Sequence, residues 1–135
     1  MVLVDTSVII DFIKNIDNAQ TEILDEIIQR RITFGISPYT LMETLQGTRT
    51  DNEYTKLYKY LSSQRIYYLS ETLNTYDRAA RMYSSLRRQG VTPRSIIDIL
   101  IALTAIEYDL LLLHNDKDFD VMEYKIPGLR IYRLN

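Results

Sequence analysis

Val2-Leu3-Val4-Asp5-Thr6-Ser7-Val8-Ile9-Ile10-Asp11 changes its period at a single acidic residue. Val2 to Val4 is short, apolar and β-branched, the composition of a buried strand. From Thr6 to Lys14 the apolar positions take helical spacing instead. Asp5 therefore stands where a strand hands over to a helix.

The same alternation continues outward along the chain. A second helix runs to Arg31, capped by Asp17 or Asn18, with Ile23, Leu24, Ile27 and Ile28 on one face. Thr33 to Ile36 reads as the second strand. Pro38 suits the first turn of a third helix that Gly47 ends, and Asp51 or Asn52 opens a fourth to about Ser63. Ile66 to Leu69 is the third strand, and Glu71 to Gln89 a long amphipathic helix closed by Gly90. Ser95 caps a helix through Tyr108, Leu110 to Leu113 is an apolar strand, and Pro127-Gly128 turns the chain into a short final strand, Arg130 to Leu134. Strands alternating with helices predict an α/β/α sandwich around a mostly parallel sheet. That class binds ligands outside the carboxyl ends of its strands. Asp5 and Asp116 fall there by position, one ending the first strand and one following the fourth.

With 135 residues, no internal repeat and no linker, the chain reads as one domain, residues 1–135. It has no cysteine, which excludes disulfides, thiolate zinc sites and thiol catalysis and fits a reducing cytoplasm. The apolar start carries Asp5 and lacks a small-residue cleavage site, so no secretory signal is expected. Ile96–Ile106 and Leu110–Leu113 are too short to span a bilayer, and no membrane association is expected. A net charge of −2 argues against coating nucleic acid through bulk charge, but not against a local metal site that binds phosphate.

Each acid has an ordinary use to be weighed. Asp5 can be the N-cap of the helix it precedes. Glu43 can be a solvated mid-helix glutamate, although Thr40 and Gly47 share its face. Asp98 can close a capping box with Ser95. Yet it is embedded in Ile96-Ile97-Asp98-Ile99-Leu100-Ile101, on a helix apolar nearly all round, with only the small Ala102 and Ala105 on its own face. A carboxylate so placed needs a partner, and a metal ion supplies one. Asp116, Asp118 and Asp120 have the spacing of a calcium loop, but Val121 stands where that loop needs glycine and Pro127 where it needs glutamate. Asp116 is the inward member by position; Asp118 is an outer acid or a helix cap. Taken together, Asp5, Glu43, Asp98 and Asp116 can converge at one sheet edge and hold a hard divalent ion such as Mg²⁺ or Mn²⁺. Phosphodiester hydrolysis is the reaction such a site suits.

Four segments, LVDTSVIID from Leu3, SPYTLMETLQG from Ser37, DILIALTA from Asp98 and LLLLHNDKDFD from Leu110, resemble those of the PIN-domain nucleases, in that family's order. The match is closest to VapC-type toxins of toxin–antitoxin pairs. The resemblance implies an Mg²⁺- or Mn²⁺-dependent endoribonuclease that inhibits translation. It assigns the family's acids to Asp5, Glu43, Asp98 and Asp116, with Asp118 a further contributor. It makes Thr6 or Ser7 the small hydroxyl residue beside the first acid. It also implies a homodimer and a cognate antitoxin seated in a groove near the site. Many relatives carry threonine where this chain has His114, which leaves open how Asp116 is hydrogen-bonded.

Two features bear on partners. Tyr54, Leu57, Tyr58 and Leu61 form an apolar stripe on the fourth helix, half of it expected to be core. Arg78, Arg81 and Arg88 share one side of the long helix opposite Leu73, Tyr76, Ala79 and Tyr83, and Arg94, just before the Asp98 helix, is a candidate contact for an RNA phosphate. The competing classes are a non-catalytic RNA- or protein-binding domain, against which the intact acid set speaks, and an aspartyl-nucleophile phosphatase. The latter wants a second Asp two positions after the first, where Ser7 stands.

Overall fold

β1 (Val2–Val4), β2 (Gly35–Ile36), β3 (Arg65–Ile66), β4 (Leu111–Leu113) and β5 (Arg130–Ile131) form one parallel sheet, in the order β3-β2-β1-β4-β5, in the computed structural model, which describes residues 1–133. The helices are α1 (Thr6–Ile13), α2 (Ala19–Gln29), α3 (Pro38–Gln46), α4 (Asp51–Ser62), α5 (Leu73–Arg88), α6 (Ile96–Glu107) and α7 (Lys117–Met122). The sandwich is the one the alternation predicts.

The period-2 alternation of strand side chains divides the core in two. Leu3 and Leu112 face a cluster with Ala79 and Leu86 of α5, Ile99 and Leu103 of α6, and Phe119 of α7. Val4 and Leu113 face the opposite cluster, with Val8 and Ile9 of α1, Leu24 of α2 and Leu61 of α4. Helices therefore cover both faces, which is why the strands are continuously apolar.

Strand order places the ligand crevice. From β1 the chain moves outward through β2 to β3, then crosses back to lay β4 on the other side of β1, in register Val4 to Leu113. The connections diverge between β1 and β4, the switch point where α/β sheets open a crevice at the strand ends. Asp5 sits at its rim, its amide bonded to the Leu113 carbonyl at 2.9 Å.

The element ends settle the alternatives left open, and some differ from expectation. The cap of α2 is Asn18: its Oδ1 accepts from the Thr21 amide at 2.9 Å while Thr21 Oγ1 accepts from the Asn18 amide at 3.0 Å. α4 opens at Asp51, one of the two residues expected, and is capped by Thr50, which accepts from the Glu53 amide at 3.1 Å. Gly47 ends α3 with φ −85°, so it is not there for left-handed backbone, unlike Gly90 at +81°. β3 is shorter than expected and begins at Arg65. Leu134, expected in the last strand, lies outside the described residues, and β5 closes at Ile131. A short helix, α7, follows Asp116, and its cap is Asp116 rather than Asp118. No described helix is long and apolar enough to cross a membrane.

Close packing against β2 gives a stability prediction. A Cβ on Gly35 would lie 2.6 Å from Tyr67 Cε2 and 3.2 Å from the Val2 carbonyl oxygen. Tyr67 is hemmed in, its hydroxyl on Met1 Sδ at 3.0 Å and its ring 4.8 Å from that of Tyr108. Gly35→Ala should therefore cost about 1–3 kcal/mol, as overpacking does. A thermal melt should fall by roughly 3–10 °C; an unchanged midpoint would show that the Tyr67 ring moves aside freely.

Candidate active site

Asp5 caps α1 from the end of β1, and 3% of it is exposed. Its Oδ2 accepts from the Ser7 amide at 3.0 Å and the Ser7 hydroxyl at 2.6 Å. Ser7 Oγ in turn accepts from the Asn115 amide at 3.0 Å, so one hydroxyl ties the end of β1 to the segment after β4. Burial pushes the Asp5 carboxyl up to about 6, against the Ser7 hydrogen bonds, which favour the ionised form; the charge of Asp116 adds to the rise. Asp5 is thus the N-cap that the sequence allowed, and its carboxyl is buried.

Thr6 reaches the other way. Its Oγ1 lies 2.8 Å from Glu43 Oε1 and 3.0 Å from Thr40 Oγ1. A hydroxyl has one proton to give and a carboxylate can only accept, so Thr6 donates to Glu43 and accepts from Thr40. Ser37, the cap of α3, touches Thr40 Oγ1 at 3.3 Å. The face that Thr40 shares with Glu43 is thus a buried hydroxyl relay leading to the glutamate. Ser37 and Asn115 are site-supporting residues that the sequence reading did not name. The cap preceding Pro38 was the available signal for Ser37; nothing local marks Asn115.

Asp98 lies in the first turn of α6 and is half-buried. The capping box weighed as the ordinary use of Asp98 does not form: Ser95 Oγ accepts from the Ile97 amide at 3.1 Å, and the Asp98 carboxylate takes no part. Every influence on that carboxyl raises it, burial first, then the charges of Asp5, Asp116, Asp118 and Glu43, to about 7. Four acids therefore act on it at once, as the sequence reading required of converging carboxylates.

Asp116 caps α7, its Oδ1 accepting from the Asp118 amide at 2.9 Å. Its own amide donates to His114 Nδ1 at 3.1 Å, which settles what the histidine does there. Accepting at Nδ1 leaves the imidazole proton on Nε2, 3.6 Å from Asp120 Oδ1. Burial lowers the His114 pKa, and its ring packs on Phe119. His114 thus positions Asp116 from the core.

Asp98, Asp116 and Asp118 each offer a carboxylate oxygen, and these lie within 4.8 Å of one another. This grouping differs from the expected set: Asp118 belongs to the trio, while Asp5 and Glu43 act on Asp98 through their charge. Arg94, a candidate phosphate contact, is placed against the acids instead. Its Nη2 is 3.3 Å from Asp116 Oδ1 and its Nε 3.6 Å from Asp118 Oδ2, while its amide donates to Asp118 Oδ2 at 3.2 Å. The donor set is all carboxylate oxygen, partly desolvated and mutually repelling, and this is the chemistry of a hard divalent cation.

Comparison with known proteins places the fold in a family. The family model described as PIN domain matches residues 2–124. A VapC ribonuclease of Mycobacterium bovis is 30% identical over 123 residues, covering 90% of this chain and 91% of its own length. The ribonuclease VapC11 of Mycobacterium tuberculosis matches to the same extent. Among solved structures, VapBC2 of Rickettsia felis bound to a promoter DNA fragment superposes with a TM-score of 0.71 at 20% identity, covering 100% of both chains. VapBC-1 of nontypeable Haemophilus influenzae gives 0.69 at 21% identity, covering 98% of this chain and 97% of that one. At these identities the structural likeness is one of fold.

Proposed function

The chain belongs to the PIN-domain family, and from that premise we propose that it is a metal-dependent endoribonuclease, the toxin of a VapBC-type pair that inhibits translation by cutting RNA. The observation carrying this reading is the gathering of Asp5, Asp98, Asp116 and Asp118 at the β1/β4 switch point, with Asp98 pushed up by burial and then by the charges of its acidic neighbours. Residues 1–135 act as a single domain.

Asp98 and Asp116 would hold Mg²⁺ or Mn²⁺ together with Asp118 and Asp5, and the ion, when bound, supplies an activated water and charge for the leaving oxygen. Glu43, held at Oε1 by Thr6, keeps Oε2 to take a proton from water at the site's edge. Ser7 fixes the Asp5 carboxylate through both of its donors and occupies the position where an aspartyl phosphatase needs its second acid. That favours a ligand role for Asp5 over a nucleophilic one.

Partners follow from the same reading. A groove between α1, α3 and α4 adjoins Glu43 and is lined by Ile10, Ile13, Thr44 and Leu57 with Lys14 and Arg49. This apolar lining with two cations at its edge supports an antitoxin segment as occupant. On α4, Leu61 is core, whereas Tyr54 and Tyr58 stack on each other at 6.4 Å and stay exposed beyond this groove. Exposed Leu73, Tyr76 and Tyr68 offer apolar surface for a homodimer. The expected compartment is the cytoplasm.

RNA cleavage by the purified, antitoxin-free protein tests the reading. Cutting with Mg²⁺ or Mn²⁺, its loss in EDTA, and growth arrest on expression that a cognate antitoxin relieves are expected. Metal-dependent RNA binding without cutting would favour a binding domain instead.

A further inference from the structure

Arg94 is the cation nearest the acid trio. Its guanidinium touches both Asp116 and Asp118, yet its side chain is 80% exposed. The two halves of the residue are held unequally. The backbone amide is bonded to Asp118 Oδ2 at 3.2 Å, anchoring the residue just ahead of the α6 cap. The guanidinium contacts, at 3.3 and 3.6 Å, are long for charge-assisted bonds and open to water. Such a side chain can leave the acids without unfolding anything, because only exposed ion pairing holds it.

Building on the metal-dependent nuclease reading, we propose that Arg94 is a tethered competitor of the divalent ion: its guanidinium neutralises Asp116 and Asp118 in the metal-free protein and must turn outward for the acid trio to bind metal tightly. The argument is one of charge. A guanidinium bonded to two of three carboxylates that lie within 4.8 Å of one another shares their field with any incoming cation and repels it. Arg94 thereby sets the metal concentration at which the site fills. Once turned outward it stands beside the site as a free cation, where an RNA phosphate can take it up. No other described lysine or arginine forms an ion pair with these three acids, so the effect belongs to one residue.

Calorimetric titration of the RNA-free protein with Mn²⁺ tests this without reference to activity. The glutamine variant, R94Q, removes the charge and should bind Mn²⁺ about tenfold more tightly than the unaltered chain. R94K keeps the charge and should stay within about threefold. Equal or weaker binding by R94Q, or equal tightening by R94K, would overturn the proposal. Asp98→Asn, run beside them, keeps the two readings apart. Loss of Mn²⁺ binding there with R94Q unchanged rejects the competitor and leaves the metal site standing. Binding undiminished in Asp98→Asn rejects the site itself.

Discussion

Asp98→Asn should lower RNA cleavage by about 10³-fold or more while leaving the fold intact. A neutral amide of the same shape cannot supply the anionic oxygen that a hard cation prefers. Losing about 4 kcal/mol of charge stabilisation at the reacting phosphate corresponds to that factor. The fold is spared because the α6 cap does not use this side chain: Ser95 accepts from the Ile97 amide, and Asp98 stands free of it. Removing the charge also relieves crowding with Asp5, Asp116, Asp118 and Glu43. The melting temperature of the metal-free variant at pH 8 should therefore equal or exceed that of the unaltered protein. Cleavage rates in Mg²⁺ beside a circular dichroism melt check both halves. Activity within tenfold of the original would remove Asp98 from the site; a large fall in melting temperature would mean that the side chain is structural.

How much of this could be read from residues depends on whether each signal was local. The β1–α1 junction was legible because Val2 to Val4 and Thr6 onward have different periods, and that alone put Asp5 at a strand end. Asp98 was legible from its contradiction, a carboxylate on a helix otherwise apolar all round. What stayed hidden depended on contacts across the sheet. Asp118 was left open between outer acid and cap because its place in the trio is set by α7, a helix that exists only because Asp116 caps it. Ser7 joins Asn115 across 108 positions, and no spacing rule reaches that far. The capping box weighed for Ser95 and Asp98 does not form, and the carboxylate lies in the field of four other acids at the switch point. Ordinary helix grammar and site chemistry competed for one residue, and the fold gave it to the site.

The metal-free protein should lose stability as pH rises from about 4 to about 7. The folded carboxyls of Asp5 and Asp98 release their protons near 6 and 7, whereas both do so near 3.8 when unfolded. Between those values the native state holds more protons than the unfolded one, so raising the pH favours unfolding. For Asp5, buried almost completely, a rise of about two pKa units amounts to about 3 kcal/mol. Asp98 is half open to water, and its larger rise contributes less than its size implies. His114 acts in the opposite sense, since a buried imidazole with a lowered pKa costs stability as pH falls below its unfolded value of 6.5. The two acids are therefore isolated by difference: thermal midpoints in EDTA, for the unaltered chain and for the double variant Asp5→Asn with Asp98→Asn, at pH 5 and pH 8. The double variant should gain roughly 10 °C over the unaltered chain at pH 8 and about half of that at pH 5, where part of the cost is already incurred. Saturating Mn²⁺ should erase that gain, because only the charged carboxylates of the unaltered chain bind it and its binding energy adds to their folded state. An equal gain at both pH values would mean that the variants stabilise through packing and that burial of the two carboxyls is not what strains this site.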